Sequence, residues 1–384
     1  MSGSQGVDVC VVGGGLVGTS TAYFAAKAGL SVTLLEAGDL ACGASGAAFG
    51  GVSASIFSYA DTRVPHHYVA LSLASIELYH ELADALGPPL DFEVSGEIDP
   101  YFDPAETESR RQRIEALSAA GVPVELLTPD ELRTIEPELS SEIAGGSWCP
   151  IGGAVTPQNA VWALADGARA HGAEIVTGAR VERIETAGGA VTGVRTADRV
   201  VPADRVIVCG GKGTSALLET VGIPIPIELF RRQLFVSERL PPLIRTALHN
   251  VKQTMAGTVV FGVTRNAGGP VKARVADVTA PMQQDLAHSA IQLFPALATA
   301  RVLRFWAGLI VVPGDGYPVI GAVPGLEGAY VGVLNRGVTI GPLAGQLLAG
   351  LAAGETSSHD LEPYRVGRFG AGASVLASDG YYSH

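Results

Sequence analysis

The chain is 384 residues long, 47% hydrophobic and 17% charged, enough to bury one large core or two joined ones and too apolar to be disordered. Its net charge of −12 argues against nucleic acid or an anionic membrane surface as a partner. No apolar run reaches the roughly 18 residues that a spanning helix needs, and four scattered cysteines (Cys10, Cys42, Cys149, Cys209) read as reduced thiols of a cytoplasmic protein.

Val7–Val12 is a β-branched apolar run of the length expected for a buried parallel strand, and a strand this early is expected to leave no room for a cleaved leader. Gly13, Gly15 and Gly18 follow as G-x-G-x-x-G, with Leu16 and Val17 inside the motif. Thr19–Ala28 then reads as an alanine-rich helix stopped by Gly29, and Leu30–Leu35 as a second short strand ending on Glu36. Gly13 permits the tight turn, Gly15 lets a pyrophosphate approach the backbone, and Gly18 lets the helix pack on the strand. The helix N-terminus offers N–H donors and a partial positive charge to phosphates, while Glu36 stands where a carboxylate accepts ribose hydroxyls. Together these mark a dinucleotide site, although the motif by itself does not separate NAD from FAD.

Next comes a small-residue loop from Ala37 to Gly51, too long and glycine-rich for a simple turn and suited to a flat ring or a phosphate lying against the backbone. Glu36 and Ala37 followed by Ala44-Ser45-Gly46 and Gly50-Gly51 resemble the second fingerprint of the D-amino-acid-oxidase-like flavoproteins. That family includes glycine oxidase, sarcosine oxidase, opine oxidase and D-hydroxyproline dehydrogenase subunits, and hydrogen cyanide synthase. The resemblance implies FAD, since an NAD dehydrogenase has no use for this second loop.

Leu71–Leu86 shows apolar residues at helical spacing and is ended by Gly87-Pro88-Pro89. His80 within it and His66-His67 before it lack a ligand pattern, so no metal site is expected. Phe92–Tyr101 reads as one strand, Ala105–Ala120 as a charged helix and Pro129–Leu132 as a capped short helix. A helix over Gln158–Gly172 precedes strands and a hairpin from Ala173 to Val194, then the strand Arg205–Cys209 with Gly210-Gly211. Ile225–Glu238 and a pair within Asn250–Gly262 read as antiparallel strands, Ala287–Leu297 as a helix and Arg304–Ile310 as a strand. Gly337-Val338-Thr339 forms a turn leading into a helix over Leu343–Ala353, and the tail from Gly370 is expected to be loose.

The later matches, at residues 205–262 and 304–352, follow the family's order and spacing, and they imply further cofactor contacts. Val181 would face the adenine, Gly210-Gly211 the pyrophosphate, and Gly308 with Gly337, Val338 and Thr339 the flavin ring. A helix start at Gly337 would favour negative charge on the ring's pyrimidine edge. The chain also departs from its relatives. Glycine oxidase carries arginine in Gly-Leu-Arg-Pro where this chain has Gly308-Leu309-Ile310-Val311. Opine-type members often have His-Ser where Asn335-Arg336 stands, and many relatives have Ala-Trp in place of Gly211-Lys212. Arg336 is the candidate to grip a substrate carboxylate, against a surface role or a pairing with Asp315. Lys252, ahead of Lys27, Lys212 and Lys272, is the candidate to help oxygen react. No cysteine follows Cys209, so FAD is expected to be non-covalent.

The resulting expectation is an α/β fold: a discontinuous Rossmann-type FAD domain (1–88, 149–222, 304–369) with an inserted antiparallel-sheet α+β substrate domain (89–148, 223–303) and a flexible tail (370–384). The expected reaction is FAD-dependent oxidation of a primary or secondary amine by hydride transfer from the α-carbon to flavin N5. The alternatives are an oxidase or desaturase of a non-amino-acid biosynthetic intermediate, or a dehydrogenase subunit. Expected partners are a small-molecule substrate and O2 or an electron-accepting protein, with oligomerisation open.

Overall fold

A computed structural model describes residues 6–54, 66–248, 251–262 and 277–369. The tail from Gly370 and the candidate Lys272 lie outside them.

The first sheet opens with β1 (Val7–Val12), α1 (Leu16–Lys27) and β2 (Val32–Leu35), the unit expected around the glycine motif. Its parallel strands run in the order Glu174–Val176, β2, β1, Val200–Val208, Ala329–Val333, and Val319–Ala322 closes the edge antiparallel. Three distant stretches of chain therefore share one sheet. They converge because β1 is apolar on both faces, with Val9, Cys10 and Val11 fully buried, and such a strand needs a neighbour on each side. The hairpin Val181–Ala187 and Ala190–Thr196 extends the beginning of Val200–Val208.

The helix Gly337–Ala352 crosses α1 closely, because a Cβ on Gly345 would collide with Ser20. It begins at Gly337 rather than at Leu343 and carries Pro342 inside it. Proline has no N–H to give the carbonyl of Val338. The neighbouring helix His66–Leu86 supplies the missing donor: the Tyr79 hydroxyl bonds the Val338 carbonyl at 2.7 Å and Ser75 Oγ bonds that of Thr339 at 2.6 Å.

The second sheet has eight strands, in the order Val302–Pro313, Ile227–Arg239, Thr258–Gly262, Val251–Gln253, Ala247–Leu248, Glu97–Tyr101, Gly145–Cys149, Glu125–Leu127. All neighbours are antiparallel except Ala247–Leu248 with Glu97–Tyr101. The helix Ala280–Leu293 packs Leu286 and Ala290 in a core with Phe235 and Phe261. A small third sheet joins Gly51–Val52, Gly153–Val155 and Phe92–Glu93.

Four expectations change. Phe92–Tyr101 is two strands in different sheets, because the chain turns at Gly96 with φ +70°. The helix expected from Leu71 already starts at His66, so both histidines belong to it. The helix placed at 287–297 runs Ala280–Leu293, with Pro281 in its first turn and Pro295 opening a separate tight turn. Finally, a boundary at 303/304 cuts a strand: Val302–Pro313 pairs with Ile227–Arg239 along its length, and the chain rejoins the nucleotide sheet only at Val319.

The role of Tyr79 is testable. Tyr79→Phe leaves the Val338 carbonyl without a donor and should lower unfolding stability by about 1–3 kcal/mol in denaturant titration. Pro342→Ala in that background should recover part of the loss, because alanine restores the helical N–H. Equal stability of Tyr79→Phe and the parent would refute this role.

Candidate functional site

The glycine motif is shaped by contacts that exclude side chains. Gly13 has φ +115°, and a Cβ there would lie 3.1 Å from Gly210 Cα and collide with the carbonyl of Cys209. A Cβ on Gly18 would collide with the carbonyl of Gly13. Gly13 and Gly18 therefore close the turn, and Gly210 is brought beside it. At the start of α1, Ser45 of the second loop reaches in, its Oγ accepting the Leu16 N–H at 3.0 Å. The Glu36 carboxylate accepts the N–H groups of Gly14 at 2.6 Å and Gly38 at 2.8 Å, with Cys42 Sγ at 3.5 Å. Burial, then the Glu36 charge, raises the Cys42 thiol above its ordinary range. The Gly178 and Ala179 N–H groups bond the carbonyls of Gly38 and Glu36 at 3.0 and 2.8 Å, which places the strand starting at Val181 beside the Glu36 loop. A loop without side chains at a helix N-terminus, with a hydroxyl and a carboxylate at its rim, fits the pyrophosphate and ribose of FAD.

The second loop carries the short helix Ala44–Ala47 and turns at Gly50, φ +101°. A Cβ on Gly46 would collide with the Ala41 carbonyl, and the Gly46 carbonyl accepts Gln158 Nε2 at 2.5 Å. The second sheet lies against this loop: Trp306 Nε1 donates to the Ala47 carbonyl at 3.1 Å, and a Cβ on Gly308 would stand 2.5 Å from that of Ala47. From the other end of the chain, Thr339 Oγ1 accepts the Ser53 N–H at 3.3 Å and donates to the Gly51 carbonyl at 3.4 Å. The Gly337–Thr339 helix start is thus seated on residues 51–53.

Asn335 and Arg336 hold this junction together. Asn335 Nδ2 donates to the Gly316 carbonyl at 2.9 Å, and its Oδ1 accepts the Tyr68 hydroxyl at 3.3 Å. Arg336 Nη2 donates to the Ser53 carbonyl at 2.7 Å, and its guanidinium lies 5.7 Å from the Tyr68 ring. Asp315 is taken by Arg368 at 2.6 Å instead of by Arg336. The Ser53 hydroxyl also donates to Glu97, a buried carboxylate of the second sheet.

Lys252 is buried at the seam between the sheets. Its Nζ donates to the Val155 carbonyl at 2.7 Å, stands 5.4 Å from the Phe49 ring, and would be 2.9 Å from a Cβ on Gly50. Burial lowers its pKa to about 8, an effect that Asp91 and Glu93 partly oppose. It lines a cavity of about 410 Å³ shared with Asp91, Glu93, Asn159 and Arg245. Lys212 lies in the tight turn Gly211–Gly213, and Lys27 in the last turn of α1 over Tyr23. Sequence reasoning missed Ser53, Tyr68, Glu97 and Gln158. None belongs to a spaced motif, and only the fold brings them to the loops. Among the described residues, no group of three or more histidines, cysteines or carboxylates is placed to hold a metal, and no helix is long and apolar enough to cross a membrane.

A family model described as FAD dependent oxidoreductase (DAO) matches residues 8–351. Sarcosine oxidase subunit beta of Arthrobacter sp is 28% identical, over 95% of this chain and 91% of its own. Glycine oxidase of Bacillus licheniformis is 27% identical, over 90% of this chain and 93% of its own. The crystal structure of glycine oxidase from Geobacillus kaustophilus superposes with a TM-score of 0.85 at 25% identity, covering 94% of this chain and 98% of that one.

Glu36 tests the nucleotide end of the site. Hydrogen bonds to a charged group are worth about 1.5–3 kcal/mol. Glu36→Ala should therefore weaken FAD binding to the apoprotein roughly 10- to 150-fold in a fluorescence titration. Unchanged affinity would remove Glu36 from the site.

Proposed function

The chain belongs to the FAD-dependent oxidoreductase (DAO) family, and on that premise we propose that it oxidises a small primary or secondary amine of the amino- or imino-acid class to an imine. One observation carries this reading. The Gly337–Thr339 helix start and the second sheet both bear on residues 47–53, through Thr339 and through Trp306. The loop expected to lie against a flavin is thus flanked by a helix N-terminus and by a sheet that keeps bulk water away.

FAD, when bound, supplies the acceptor for the hydride that leaves the substrate's α-carbon. Gly13, Gly15, Gly18, Ser45 and Glu36 hold its nucleotide part. No cysteine follows Cys209, which favours a flavin ring held without a covalent bond. At the start of the final helix, N–H donors favour the negative charge of the reduced state, and Arg336 has no acceptor with which to cap them. Asn335 and Arg336 act as positioning residues, tying this helix start to Tyr68 and Ser53. No side-chain base is required, because a neutral amine releases hydride and the imine product hydrolyses in water. Lys252 supplies the positive charge that favours reduction of oxygen. A second reading, in which a partner subunit takes the electrons, is supported by a relative named as a subunit, sarcosine oxidase subunit beta.

Purified protein should be yellow, heat or acid should release its flavin, and one class within a panel of amino acids, N-alkyl amino acids, opines and hydroxy acids should bleach it without oxygen. Colourless protein, or bleaching by hydroxy acids alone, would sink the proposal. With its pKa lowered to about 8, Lys252 carries its charge below that pH and loses it above. Reoxidation by air should therefore slow as pH rises through about 8, and Lys252→Met should be slow at every pH while anaerobic bleaching stays normal. Wild-type protein that reoxidises only over minutes at low pH would favour the partner-subunit reading.

A further inference from the structure

The chain crosses from the second sheet to the first through residues 314–318, since Val302–Pro313 ends in the one and Val319–Ala322 begins in the other. Asp315 shapes this crossing, its Oδ1 accepting the Tyr317 N–H at 3.1 Å, and Gly316 turns it at φ +81° with its N–H on the Pro313 carbonyl at 2.8 Å. Two side chains from later in the chain then grip it. Asn335 Nδ2 donates to the Gly316 carbonyl at 2.9 Å. Arg368 donates from Nε to Asp315 Oδ2 at 2.6 Å, and from Nη2 to Asp315 Oδ1 and to the Tyr317 carbonyl, both at 3.0 Å. Its Nη1 bonds the Arg365 carbonyl at 3.1 Å, which ties the guanidinium to its own segment. With side chains only 14% and 23% exposed, this bidentate pair is of the kind that fixes geometry, unlike an open surface pair.

Arg368 is not needed to dock the segment that carries it. Tyr364 is fully buried, with its ring 5.5 Å from that of His67, and Val366 packs in a core with Val319 and Val323. What the guanidinium adds is the hold on the crossing. That hold reaches the cofactor loops through one residue. Asn335 is held at one end by the Tyr68 hydroxyl and at the other by the Gly316 carbonyl, and it stands two residues before the helix that starts at Gly337.

We propose that Arg368 is a positioning residue for the flavin: by fixing the crossing at Asp315 and Tyr317 it fixes Asn335, and with it the direction of the Gly337 helix start. The inference rests on the reading that this helix start faces the flavin ring, and not on which substrate is oxidised. The probe is sulfite, which adds reversibly to an oxidised flavin and bleaches it, and N–H donors beside the ring favour the negative charge so formed. On the FAD-loaded protein, Arg368→Met, which keeps the apolar stem, should weaken sulfite roughly 3- to 30-fold. The flavin's reduction potential, measured in parallel, should fall in the same variant. Arg368→Lys should recover part of both, because an ammonium lacks the planar fork. Should Arg368→Met not retain flavin, Arg368→Gln, which keeps a donor, tests the same expectation. Arg110→Met breaks a pair of similar burial, Arg110 with Asp99 at 2.6 Å in the second sheet, and should leave sulfite affinity and potential unchanged. Arg368→Met combined with Asp315→Asn removes both charges and leaves an oxygen for the Tyr317 N–H; it should stay impaired. Wild-type sulfite affinity and potential in Arg368→Met, an equal loss in Arg110→Met, or full recovery in the double variant would overturn the assignment, the last because the charge of Asp315 alone would then explain the loss. Thr339→Val, at the seat of the helix start, separates the two claims. If it weakens sulfite and Arg368→Met does not, the helix-start reading stands and the assignment falls; if neither does, both fall.

Discussion

The carbonyl of Gly13 occupies the space that a side chain at residue 18 would need, and the carbonyl of Cys209 occupies the space that one at residue 13 would need. These two close approaches seat α1 on β1 and bring the end of Val200–Val208 to the same turn, so the cradle is assembled from segments nearly two hundred residues apart in sequence. The rest of the site depends on where α1 then lies. Gly345 lets the final helix cross it at short range, with Gly341 over Leu16, and that crossing delivers the Gly337 helix start to the second loop. A Cβ at Gly13, Gly18 or Gly345 would push apart the elements whose contact forms the site.

Ser53 is the polar counterpart of that steric closure. Its N–H meets Thr339, its carbonyl meets Arg336, and its hydroxyl meets Glu97. One residue of the nucleotide loop is thereby bonded to the last helix and to the second sheet. Ser53 is fully enclosed, so each of these groups must find its partner inside the protein, which confines the loop to one arrangement. The Pro342 helix follows the same logic. A carbonyl deprived of its N–H is satisfied by Tyr79 from a different helix, so a residue that would break a helix locally is tolerated in its interior.

The chain is acidic overall, and two of its cations stand against the loops: Lys252 at the seam and Arg336 at the helix start. Each is removed from bulk water to a different degree. Lys252 is driven toward its neutral form by burial, whereas a guanidinium stays protonated in comparable surroundings. This difference separates a group whose charge depends on pH from groups suited to hold an anion at any pH.

The nucleotide unit was legible in the sequence because its chemistry is local. A β-branched run, three glycines at fixed spacing, an alanine-rich helix and an acid at the next strand's tip lie within one short stretch, and each acts through backbone geometry alone. The capped helix after Thr128 and most strands were readable on the same grounds, from neighbours a few residues away. Other features were decided only by tertiary structure. The start of the final helix depends on a tyrosine from another helix, and the break at Gly96 on two sheets that draw the flanking residues apart. The membership of Val302–Pro313 depends on its pairing with a distant strand. The burial that lowers Lys252 and the bonds that occupy Arg336 are likewise supplied by residues far away in sequence. Residue type and spacing state what a side chain is able to do; its partners, its solvation and its direction are set by the segments that fold against it.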